Sequence, residues 1–148
     1  MSTPTPAISI VTLGVADLAV STSFYEALGW VKAPQSQDTV SFLQGHNIVL
    51  GLYGREALAD DANISCEPTG FSAVTLARNL PSPEEVDEFF ELALSHGAKP
   101  LKTPQKVFWG GYSGYFQDID GHLWEIAHNP FFEMDEHGQL QLLGETGQ

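Results

Sequence analysis

The chain has 148 residues, 43% of them hydrophobic, and sets 6 Lys and Arg against 19 Asp and Glu for a formal charge of -13. That length fits one compact domain or two small halves packed together, with enough apolar residues for a real core. So acidic a surface repels phosphate backbones and anionic lipid, which excludes nucleic acid and membrane surfaces as expected partners. No apolar run approaches the length of a membrane span. Residues 1–7, "MSTPTPA", lack the basic and apolar regions of a signal peptide and read as a flexible start. Cys66 is the one cysteine, so no internal disulfide forms and a reducing cytoplasm is the expected compartment. Its setting, "NISCEPTG", carries no activating neighbour, and the thiol reads as structural.

The first half occupies residues 8–59. "AISIVTLGV" alternates as a strand, with Val11, Leu13 and Val15 on one face and Ile10, Thr12 and Gly14 on the other. "DLAVSTSFYEALG" follows as a helix. Asp17 can cap it, Leu18, Ser21, Phe24, Tyr25 and Leu28 fall at helical spacing, and Gly29 suits its C-terminal end. Three short strands come next: one near Trp30 to Ala33, then "TVSFLQ", then "NIVLGLYG".

Residues 60–70, "DDANISCEPTG", are polar and broken by proline and glycine, which predicts a linker. The order then begins again over residues 71–130. "FSAVTLA" (71–77) reads as a strand with Val74 and Leu76 on one face. "PSPEEVDEFFELALSHG" is the clearest helix. Ser82 is the N-cap, Pro83 takes the first helical position, and Glu85 completes a capping box. Val86, Phe89, Phe90 and Ala93 form its buried stripe, and Gly97 ends it. "AKPLK" predicts a short strand, and "YSGYFQD" with "HLWEIAH" a strand pair across the turn "IDG". Residues 131–148 predict a last hairpin or tail turning at "DEHG", able to cover an edge or a subunit contact.

Each half thus reads strand, helix, three strands, which is an α+β arrangement. The ends of the halves also rhyme: "GHNIVLGLYG" begins at Gly45 and "GHLWEIAHNP" at Gly121. In that register Val49 takes the place of Glu125.

The repeated βαβββ unit, "LGVADLAVSTSFYEALGW" early and "GYFQDIDGHLWEI" late together resemble the vicinal oxygen chelate superfamily of glyoxalase I, extradiol dioxygenases and bleomycin-resistance proteins. The resemblance runs over about residues 8–130. It implies two βαβββ units forming a cup-shaped mixed sheet with a small-molecule site, and a homodimer. The apolar residues near 140–143 suit the same expectation. In the family's metal-dependent members, the first and last strands of each unit each supply a ligand, commonly His and Glu. Glu125 matches the last of these. The position in the first strand falls on Ile10, that in the first unit's last strand near Val49 or Gly51, and "FSAVTLA" offers no His, Asp or Glu. One expected ligand of four is present, and one carboxylate does not hold a divalent ion against water.

The cup is therefore expected to bind no metal cofactor; a divalent metal held through Glu125 is the alternative. His128 alternates to the face opposite Glu125. His96 ends a helix, where a partly charged imidazole is favourable without further function, and His137 lies in a turn. His46 and His122 start strands beside glycines and are the two that could supply an unexpected ligand. The expected site comprises Glu125 with Ile10, Thr12, Ala73, Thr75, Tyr115 and Leu123 as lining, and Phe108, Trp109 and Tyr112 of "FWGGYSG" at the rim. Apolar walls with few polar groups are the usual design of a small-molecule site. Arg78 reads as a solvated strand end or as a partner of Glu125. Two function classes stay open: a metal-free protein that binds a small molecule, like the resistance branch of the superfamily, and a metal-dependent lyase or dioxygenase. Metal-free catalysis with Glu125 as acid or base is a third. The ligand's identity does not follow from the fold.

Overall fold

The computed structural model describes residues 6–67 and 70–143. The chain divides into two compact units, residues 1–68 and 69–148.

In the first unit, β1 (Ile10–Val15) leads into α1 (Leu18–Ala27), then β2 (Val31–Lys32), β3 (Val40–Gln44), β4 (Val49–Gly54) and α2 (Arg55–Asp61). The sheet order is β1-β4-β3-β2. β1 runs parallel to β4, and the other pairs are antiparallel. Asp17 caps α1 by accepting from the Val20 N–H at 3.1 Å. One sheet face is fixed by α1: Thr22 on the helix and Ser41 on β3 share a buried 2.8 Å hydrogen bond. Leu13, Val15, Leu43, Leu50 and Leu52 share that face and are buried, with Phe24 and Tyr25 from α1. The opposite face carries the register pairs Ile10 with Val49 and Thr12 with Gly51.

The second unit repeats the plan. β5 (Leu76–Asn79), α3 (Pro83–Ser95), β6 (Lys99–Lys106), β7 (Tyr112–Gln117) and β8 (Leu123–His128) form a sheet of order β5-β8-β7-β6. α3 has the capping box expected from Ser82 and Glu85. The Ser82 hydroxyl accepts from the Glu85 N–H at 3.2 Å and donates to the Glu85 carboxylate at 3.0 Å. Val86, Phe90 and Ala93 of α3 are buried with Phe116, Trp124 and Ile126 of the sheet. Phe90 and Phe116 meet edge to face, ring centroids 6.1 Å apart. Such pairs add to what burial alone contributes. Both units have the β-α-β-β-β order, and the α+β class holds.

Two elements differ from the sequence reading. The strand predicted over residues 71–77 begins at Leu76, so Ala73 and Thr75 precede it. Ala73 adopts a left-handed φ of 61°, which breaks the extended run. β8 begins only at Leu123, and the parallel pairing starts with Leu76 opposite Trp124. The helix α2 overlaps the start of the polar stretch read as a linker. It is seven residues long with no buried residue, so it carries no apolar stripe to read. Among the described residues, no helix is long and apolar enough to cross a membrane.

Candidate functional site

The face of the second sheet that turns away from α3 holds the candidate site. Side chains alternate along a strand. On β8, Trp124 and Ile126 are buried with α3, which leaves Leu123, Glu125 and Ala127 on the open face. Across the sheet, Glu125 is flanked by its register partners, Tyr115 on β7 and Ala77 on β5. Beyond Tyr115, its register partner on β6 is Lys102.

Glu125 and Tyr115 are both half-buried. The pKa of Tyr115 is raised, first by burial and then by the negative charge and nearby carboxylate oxygens of Glu125. The phenol therefore holds its proton beside the carboxylate of its register partner. The pair offers carboxylate oxygens to a ligand's donors and a phenolic oxygen as a further acceptor. Ser113, Gln117 and Leu123 lie on the same face by alternation.

The other expected site residues are distributed differently. Ile10 and Thr12 share the face of the first sheet opposite α1. Thr75 is exposed ahead of β5, and Ala73 with it; the β5 residue beside Glu125 is Ala77. Tyr112 lies on the face opposite Tyr115. Its hydroxyl donates to Asp87 Oδ1 of α3 at 2.7 Å. That hydrogen bond is the main reason the Tyr112 pKa is raised, followed by burial and the charges of Asp87 and Glu84. Tyr112 thus ties sheet to helix and stands apart from the Glu125 face. Trp109 is 39% exposed and folds over Gly111, where an added Cβ would fall 1.9 Å from its ring. Phe108 is fully exposed. Arg78 pairs in register with Ile126, which directs it to the face opposite Glu125. Sequence reasoning missed Ala77; counting the parallel register back from Glu125, rather than starting the strand at Phe71, would have found it.

The same register tests the donor set that a family metal would need. Glu125 corresponds to Val49, and their first-strand partners are Ala77 and Ile10. Of these four positions only Glu125 carries a donor. Beside it, Ala77 and the phenol of Tyr115 do not make up the three or four protein donors that hold a divalent ion. Among the described residues no group of three or more His, Cys, Asp or Glu comes together to hold one. The His128 Nδ1 lies 3.0 Å from the Leu80 carbonyl, and His46 and His122 stand in the turns before β4 and β8.

A model of the Glyoxalase/Bleomycin resistance protein/Dioxygenase superfamily matches residues 7–126. Among solved structures, a glyoxalase-related enzyme from Fulvimarina pelagi is 30% identical, with 90% of this chain and 96% of that one covered and a TM-score of 0.81. Hypothetical protein SA1046 from S. aureus is 25% identical over 86% of this chain and 96% of its own, with a TM-score of 0.74. A lactoylglutathione lyase from Agrobacterium tumefaciens shares the fold at 21% identity, with 85% and 96% covered and a TM-score of 0.64. No curated protein matches. With its two βαβββ units, its late Asp-Gly-x-Leu-x-Glu stretch and a family match over most of its length, the chain belongs to the Glyoxalase/Bleomycin resistance protein/Dioxygenase superfamily.

Proposed function

We propose that the protein binds a small molecule on the open face of its second sheet, anchored by Glu125 and Tyr115, and does so without the divalent metal used by the family's metal-dependent members. The observation that carries this reading is Glu125 standing in register between Tyr115 and Ala77. A carboxylate that serves as a metal ligand needs further donors around it. Here its neighbours are a methyl group and a phenol that stays protonated. A carboxylate so placed is an acceptor for a ligand's N–H or O–H groups, and the half-buried Leu123 beside it supplies apolar contact. A few convergent polar groups on an apolar wall are what a small-molecule site requires.

The test is a small-molecule library screened by thermal shift against the full chain, with hits titrated calorimetrically into wild type, Glu125→Gln and Tyr115→Phe. Glu125→Gln is expected to keep the fold and weaken binding by about 1–3 kcal/mol, the scale of a hydrogen bond to a charged group. Hits that bind Glu125→Gln as tightly as wild type would remove Glu125 from the site.

A further inference from the structure

We infer that the second unit carries another binding site, separate from the Glu125 face, in a groove between the end of β8 and the C-terminal hairpin, and that its ligand is a small organic amine with an apolar body. The groove has a volume of about 280 Å³ and is lined by residues including Leu80, His128, Pro130, Phe132, Met134 and Asp135. That lies just under the roughly 300–1,000 Å³ of sites for drug-sized ligands, so the ligand is small.

The walls are built rather than loose. Leu80 is buried, and its N–H donates to the Ala127 carbonyl at 2.8 Å. After β8, the Asn129 side chain accepts from the Phe131 N–H at 2.9 Å, which turns the chain. Met134 then pairs with Leu140 in an antiparallel bridge. Asp135 Oδ1 accepts from the N–H groups of His137 at 2.9 Å and Gln139 at 2.8 Å. The Gln141 N–H closes the hairpin on the Glu133 carbonyl at 2.8 Å. A hairpin held at this many points keeps Phe132, Met134 and Asp135 in place as one side of the groove.

The chemistry of the lining selects the ligand. The Leu80 carbonyl can only accept, so the His128 nitrogen 3.0 Å from it, Nδ1, is the donor. In the neutral ring Nε2 is then the acceptor left to serve a ligand. Asp135 adds a carboxylate, and among the described residues no Lys or Arg lines the groove, the Arg78 guanidinium lying instead beside Gly138 at the turn of the hairpin. An ammonium group meets acceptors and negative charge there, while a carboxylate or phosphate meets the like charge of Asp135 and, as side-chain amide donors, only the neutral Asn79 and Asn129. Phe132 and Met134 favour the same choice, because an aromatic face attracts a cation and a thioether packs well against an apolar body. The chain's formal charge of -13 draws cations toward it.

The experiment uses nitrogen-15-labelled full-length protein titrated with three probes of one shape: benzylamine, benzyl alcohol and benzoate. Benzylamine is expected to shift the amide signals of His128 and residues 134–139 and to bind more tightly than the other two. Asp135→Asn keeps the Oδ1 acceptor for His137 and Gln139 while removing the charge, and should weaken benzylamine at least about fivefold. Met134→Lys places a cation in the groove and should abolish amine binding with the rest of the spectrum unchanged. If Asp135→Asn disturbs the hairpin, Met134→Lys decides alone. Equal binding of all three probes, undiminished binding by the decisive variant, or shifts confined to Tyr115 and Glu125 would overturn the proposal.

Discussion

Tyr115 and Glu125 stand directly opposite one another on β7 and β8, on the face of the sheet that α3 leaves open, and burial followed by the charge of Glu125 raises the Tyr115 pKa. Opposed residues on antiparallel strands have their Cβ atoms about 5 Å apart, close enough for the phenol to reach the carboxylate. The pairing places a hydroxyl opposite Glu125, a carboxylate that among Leu123 and Ala127 would otherwise seek its donors from water or a ligand.

This pair makes the alkaline limb of stability testable. The folded-state pKa of Tyr115 lies above its ordinary value near 10. Its contribution is therefore fully present below about pH 10 and is lost as pH rises through the folded-state pKa. Tyr115→Phe should flatten part of that decline in denaturant unfolding. Tyr112→Phe should remove a separate part, since Tyr112 is raised by Asp87. Glu125→Gln should lower the Tyr115 phenolate transition in an ultraviolet titration only partway, because burial is the larger cause. A transition that does not move would mean the charge of Glu125 contributes nothing there.

Metal analysis separates the proposed function from the metal-dependent alternative. Protein exposed to zinc, nickel, manganese and iron and then desalted is expected to retain far less than one equivalent of any of them. Glu125→Gln should retain the same amount, and chelator should leave the melting temperature of wild type unchanged. Stoichiometric metal that disappears in Glu125→Gln would overturn the metal-free reading.

Gly114 sits next to Tyr115 on β7 and lets β6 approach closely. A Cβ added there would lie 2.6 Å from the Lys102 carbonyl oxygen and 2.7 Å from the Pro104 nitrogen. Both are backbone atoms, which cannot swing aside as a flexible side chain could. Gly114→Ala should therefore force β6 from β7 and cost about 1–3 kcal/mol in a denaturant titration. A cost below about 0.5 kcal/mol, the usual range of neutral surface changes, would show that the strands yield freely.

Where the sequence was legible, several local rules agreed. α3 combined a capping box, a proline at its start and an apolar stripe, and each appears in the structure, with Phe89 at the edge of the stripe only half-buried. Strand alternation placed Glu125 on the face opposite Trp124 and Ile126, because a two-residue period leaves only two choices once those two are buried. Legibility failed where local sequence does not decide. "FSAVTLA" has strand-forming residues, yet pairing waits until Leu76 because the partner strand is not beside it sooner. α2 is exposed and too short to show a period. Tyr112 alternates away from Tyr115, but its loop setting suggested a rim position; its bond to Asp87 is a contact across 25 residues that no local pattern announces.

A buried polar pair in the first unit was equally invisible, and it gives the sharpest energetic test. Thr22 is 6% and Ser41 1% exposed. The Thr22 hydroxyl donates to the Leu18 carbonyl at 2.6 Å, so in the 2.8 Å contact between the two hydroxyls Ser41 is the donor. Thr22→Val would leave the Ser41 hydroxyl buried without that acceptor, at a cost of about 1–3 kcal/mol. Ser41→Ala alone removes the donor but leaves Thr22 its bond to Leu18, so it should cost less. The double variant leaves no orphaned hydroxyl and should cost less than the sum of the two single variants, with an interaction energy of about 0.5–3 kcal/mol in a double-mutant cycle. Strict additivity would mean that the two hydroxyls are uncoupled and that α1 is held on β3 by its apolar contacts alone.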